Sequence, residues 1–184
     1  MISKKTLKSC QKKLNFYDID QGAWEHEPKG FAFNAHHVLT HLAKNLTAKD
    51  FNDVIIVKNE IAPDSTQYAL RLARWLDLEL DEIIQEPRRT IYNSEINQFA
   101  SISTDFVVYA QAMSSLAKYL HQLDHAKSID EAKSGQREEI KEVAQLLLHS
   151  ADLQSQRYGF DIIDSLDTRL KELRALFSIP EPVN

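Results

Sequence analysis

The sequence predicts an all-α fold, a helix bundle built from two similar helical hairpins by internal duplication. Three observations predict it. Only 4 Gly and 5 Pro punctuate 184 residues, which favours long helices over many short strands. Capping residues stand ahead of apolar positions that recur every three or four residues. The stretch LAKNLTAKD, Leu42 to Asp50, returns as LAKYLHQLD, Leu116 to Asp124, with Leu, Ala, Lys, Leu and Asp in register.

Each element has its own justification. The first thirteen residues carry Lys4, Lys5, Lys8, Lys12 and Lys13, no acid and no apolar run after them, so they are not expected to be a signal peptide. Cys10 is the lone cysteine, which excludes an intrachain disulfide and suits a reducing, cytoplasmic setting. Asn34 can cap a helix through His36, Val38, Leu39, Leu42 and Leu46. Thr47 and Asp50 resemble a capping box opening KDFNDVIIVKNE, and VIIV lacks a partner strand, so helix is expected there. Pro63 suits the first turn of a separate helix through Tyr68, Leu72 and Leu76. LELDEII gives a short helix stopped before Pro87.

The polar stretch PRRTIYNSEINQ connects the halves. Beyond it, Thr104 or Ser103 caps DFVVYAQAMSSLAKYLHQL, and Ser128 with Glu131 forms a capping box ahead of a long helix. Gly159 ends that helix in the left-handed conformation, and Asp161 opens the last one, which stops before Pro180. The chain is expected to be a single domain, residues 1–184, with repeat halves at about 33–86 and 104–177.

The flanks extend the echo. Glu60-Ile61 aligns with Glu139-Ile140, Ala73 with Ala151, and LDLELDE from Leu76 with YGFDIID from Tyr158. Leu42, Leu46, Leu116 and Leu120, four apart on each helix, would line the interface between hairpins, so that one chain resembles a dimer of single-hairpin units. Isologous pairing of two whole chains into a homodimer remains compatible with that arrangement. Hydrophobic content of 43% and charged content of 27% are ordinary for a soluble protein. The net charge of -5 argues against a general nucleic-acid binder, and no run approaches the roughly 20 apolar residues of a membrane helix.

Chemistry concentrates in the carboxylates. Glu138, Glu139 and Glu142 share one side of a helix, where oxygen ligands on neighbouring turns suit Mg2+ and a phosphorylated substrate. Glu60 and Asp64 occupy the matching region of the first half. EEIKEV, an apolar helix and then YGFDIID resemble the pattern of MazG-like all-α nucleoside triphosphate pyrophosphohydrolases. NEIAPDSTQYALRLARWLDLELDEII resembles the same pattern, with Asp77 in place of the glycine.

The resemblance implies Mg2+ held by Glu139 and Glu142, with Glu60 and Asp64 as counterparts, and attack of water on a nucleoside triphosphate to release pyrophosphate. Where the family has an E-x-x-E pair, this sequence has His41-x-x-Lys44 and Ser115-x-x-Lys118. Lysine does not bind Mg2+, so either the halves pool ligands or the fold persists as an inactive nucleotide-binding relative. Lys44, Lys118 and Arg174 would then be phosphate contacts.

Two other constellations stand beside this one. His37 and His41, with His36 adjacent, and His121 and His125 each form an H-x-x-x-H pair able to bind zinc with a third ligand such as Glu60 or Asp124. APDSTQYALRLARWLDLELDEII also resembles the end of a helix-turn-helix regulator, although the recognition segment FNDVIIVKNE is acidic and apolar. No glycine-rich phosphate loop is present, and Cys10 has no histidine near it in sequence.

Overall fold

The computed structural model describes residues 2–21, 39–40, 43, 50–85, 103–123, 125, 128, 131 and 137–176. Among these residues the chain is all-helical, with no strand. Helix α1 spans Lys4–Gln21, α2 Ala62–Trp75, α3 Leu80–Ile83, α4 Thr104–Leu123, α5 Arg137–Tyr158 and α6 Ile162–Leu176. A 3-10 turn, Asp50–Asn52, a single α turn, Val54–Ile56, and a π turn, Val57–Ile61, lead directly into α2. No helix among the described residues is long and apolar enough to cross a membrane.

Helix α1 was not foreseen as an element. Its lysines mask a stripe of Leu7, Cys10 and Leu14, at 0%, 0% and 2% exposure, spaced for one helical face. Ser3 starts it, its hydroxyl accepting the Thr6 N–H at 3.1 Å. Burial pushes the Cys10 thiol up to about 12, with Asp161 adding to the effect.

The chain enters α2 through the helical turns that follow Asp50. The cap is Asp53, whose Oδ1 accepts from Ile55 N at 2.9 Å and Ile56 N at 3.3 Å, while Thr47 lies outside the described residues. Pro63 stands in the first turn of α2, as expected, and the helical path enters that turn from the π turn without a break. The π turn is what accommodates it. Ala62 donates its N–H to Val57 O, five residues back. The next carbonyl, Lys58 O, would take its π-type bond from Pro63, which has no N–H. The Ser165 hydroxyl on α6 donates to Lys58 O instead. A missing backbone donor is thereby replaced by a side chain from another helix.

Helix α2 is the centre of the molecule, and every residue from Ile61 to Ala73 is buried. It packs mainly on α5 and α6, while α4 packs on α5. Helices α2 and α5 run antiparallel. At one end Arg137 Nη1 donates to Leu76 O, and Gln145 Nε2 donates to Glu82 O at 2.7 Å. At the other, the Tyr158 hydroxyl donates to Phe51 O at 2.6 Å. Helices α4 and α5 pack against each other and are tied by Ser150 Oγ donating to Asp105 O at 2.9 Å and by the Arg157–Asp105 ion pair at 3.2 Å. The Phe51 ring meets Phe106 and Tyr109 edge-on, each at 5.0 Å, and closes that end of the core.

Helix ends follow the expected chemistry. Gly159 terminates α5 at φ 69°, and Asp161 Oδ1 caps α6 by accepting from Ile163 N at 2.7 Å and Asp164 N at 3.1 Å. Asp77 takes the same left-handed conformation, φ 52°, after α2. Ser128 Oγ accepts the Glu131 N–H at 3.1 Å, one half of the expected capping box. Leu116 and Leu120 are each 1% exposed, whereas Leu42 and Leu46 lie outside the described residues.

Candidate functional site

A helix buried on every side is normally apolar all round, since each buried polar group needs a partner. Helix α2 breaks that pattern. Ser65 and Thr66 satisfy themselves locally, their hydroxyls donating to Ile61 O at 2.7 Å and Ala62 O at 2.9 Å. What remains is a polar stripe at helical spacing: half-buried Glu60 on the π turn, then Asp64, Gln67, Tyr68 and Arg71.

Asp64 anchors the stripe. Its Oδ1 accepts from Arg169 Nε at 3.0 Å and its Oδ2 from Arg169 Nη2 at 3.0 Å, a two-pronged carboxylate–guanidinium pair between α2 and α6. Gln67 Nε2 also donates to Asp64 Oδ1, at 2.7 Å. Burial works against the Arg169 charge, but the Asp64 hydrogen bonds and charge, with Glu60 and Glu172, outweigh it and hold the guanidinium protonated. The Arg71 guanidinium stands over the Tyr68 ring at 5.8 Å. Tyr109 of α4 is fully buried near the same carboxylate; burial first, then Asp64 and Tyr68, raise its hydroxyl well above the ordinary value. Gln67 is 2% exposed, and its Oε1 has no hydrogen-bond partner.

The expected ligand residues fall in different places. Glu139 is exposed and Glu142 half-buried in the first turns of α5, where Arg137 reaches Leu76 O at the end of α2. Asp64 lies near the start of α2, so at 1.5 Å per residue the two sets sit roughly 15 Å apart along the bundle. Carboxylates sharing one Mg2+ each approach it to about 2.0–2.1 Å. Both Asp64 oxygens are already engaged by Arg169. Among the described residues no group of three or more His, Cys, Asp or Glu is arranged to hold a metal ion. The four carboxylates therefore do not fit a shared Mg2+ site.

Lys118 is exposed on α4, Arg174 is half-buried on α6, and Lys44 lies outside the described residues. His121 and His125 meet edge-on at 5.3 Å, while His36, His37, His41 and Asp124 lie outside the described residues. Phe51–Glu60, the recognition segment of the helix-turn-helix alternative, is divided among a 3-10 turn, one α turn and a π turn. Sequence reasoning singled out Asp64 but missed Gln67, Arg71, Tyr109 and Arg169. The available signal was the Asp64, Gln67, Arg71 spacing, which places polar groups on one side of an otherwise buried helix. No family model matches the chain, and neither a curated protein nor a solved structure gives a significant match.

Proposed function

We propose that this chain is a divergent MazG-like helical protein that binds a nucleotide, or a similarly phosphorylated small molecule, without the metal-dependent hydrolysis. The observation that carries the non-hydrolytic version is the engagement of Asp64, whose carboxylate is neutralised by Arg169 through two hydrogen bonds. A ligand-binding role is supported by the buried stripe of Asp64, Gln67, Tyr68 and Arg71, which a purely structural central helix would not need. The π turn at its entrance adds weight, since such turns concentrate at functional positions.

An internal duplication accompanies this proposal. Asp77 and Gly159, aligned by the sequence echo, both take the left-handed conformation between a long helix and the next one. On this reading α2 and α3 correspond to α5 and α6.

The test pairs two measurements on a nucleoside triphosphate panel. The expected result is a nucleotide-induced rise in melting temperature with no pyrophosphate released in the presence of Mg2+. Ligand at a hundredfold excess over Kd adds about 2.7 kcal/mol of stability, a shift of roughly 5–11 °C for a chain of this size. A panel that neither shifts melting nor turns over removes the proposal.

A further inference from the structure

Gln67 carries a feature that nucleotide binding alone does not explain. Its amide is buried, and its orientation is fixed by chemistry: Nε2 donates to Asp64 Oδ1 at 2.7 Å. Turning the amide over would set oxygen against a carboxylate oxygen that already receives Arg169. The oxygen Oε1 is therefore committed to the other side, where it has neither solvent nor a hydrogen-bond donor. A buried acceptor in that state is held at a free-energy cost that an incoming N–H removes.

We propose that Gln67 Oε1 takes an N–H from the ligand, so that the site prefers a nucleotide whose base carries an exocyclic amine over the oxo counterpart; this rests on the nucleotide reading above. An amine puts a donor against Oε1. An oxo group puts a second acceptor there, with no proton between two oxygens. Asp64 blocks the usual escape, because turning the amide over to bring an N–H where Oε1 stands would break the bond from Nε2 to the carboxylate. Tyr68, next along the stripe, and Tyr109 bring aromatic rings to the same region, as a flat base requires. Since Oε1 is closed to solvent, ligand entry takes a local opening of the bundle, and association is slow.

Gln154 Oε1 is also buried without a partner, but its Nε2 faces the Ser150 hydroxyl at 2.9 Å and no charged side chain is bonded to that amide. That setting suits an internal water.

The experiment measures equilibrium binding for two matched pairs, ATP against ITP and CTP against UTP, on the protein and on Gln67→Leu. The expected result is a preference of about 10–100-fold for the amine-bearing member of at least one pair, abolished in Gln67→Leu. Gln67→Leu removes the bond from Nε2 to Asp64 together with the unpaired acceptor, so folding of the variant is checked by circular dichroism beside the binding measurement; should it not fold, Gln67→Met serves in its place. Equal binding within both pairs, a preference for the oxo members, or a preference that survives the substitution overturns the inference while leaving nucleotide binding standing. No binding by any of the four overturns both.

Discussion

Replacing Ser165 with Ala removes the hydroxyl that donates to the Lys58 carbonyl. Ser165 is 1% exposed, so little water reaches the gap from its side. Leaving that carbonyl unpaired should cost about 1–2 kcal/mol, read as a fall of about 2–8 °C in melting temperature for a chain of this size. The informative experiment is the double-mutant cycle with Pro63→Ala. Alanine supplies the backbone N–H that proline lacks, so Lys58 O or its neighbour regains an intrahelical donor, and the serine becomes redundant. Urea denaturation followed by circular dichroism at the helical band gives the four free energies. Ser165→Ala should cost about 1 kcal/mol less in the Pro63→Ala background. If the two costs agree to within about 0.5 kcal/mol, the sites are independent and the account of the π turn is wrong.

Asp64→Ala leaves the Arg169 guanidinium, 15% exposed, without its carboxylate, and should cost about 3–5 kcal/mol in chemical denaturation, with Asp64→Ala/Arg169→Met recovering much of it. Cys10 should resist a thiol-specific reagent at pH 8 in the native protein and react fully on unfolding. Because its thiol stays protonated in the fold up to about 12, from an ordinary 9.0, its contribution to stability is fully present below pH 9 and is lost as pH rises towards 12; Cys10→Ala should flatten that part of a stability–pH curve. Leu116→Ala, at a position 1% exposed, should lower stability by about 2–5 kcal/mol, and a melting temperature unchanged from the parent would show that Leu116 is not in the core.

The parts of the fold legible in the sequence are those governed by local chemistry. Gly159, Asp161 and Ser103 announce helix ends because capping depends on a few adjacent residues, and the structure uses Gly159 and Asp161 in those roles. Ser103 O accepts from Val107 N at 3.2 Å as α4 begins. What escaped notice depends on partners far away in the chain. Pro63 is the first-turn residue it reads as, but the partner of the Lys58 carbonyl ahead of it, Ser165, lies about a hundred positions later. Helix α1 was obscured by its lysines, whose exposed heads conceal the apolar stripe beneath. Asp64 invited a metal-ligand reading because spacing reports which residues share a face, not which cation stands opposite. Arg169 stands there, and a guanidinium occupies the oxygens an ion would need.

The most direct test of the central claim is calorimetric binding of nucleoside triphosphates, once with Mg2+ and once with EDTA, alongside a pyrophosphate assay on the same samples. Binding is expected with an affinity that changes little between the two conditions, and no pyrophosphate in either. Binding that appears only with Mg2+, accompanied by pyrophosphate release that Glu139→Gln abolishes, would contradict that claim and restore the carboxylates to a catalytic role.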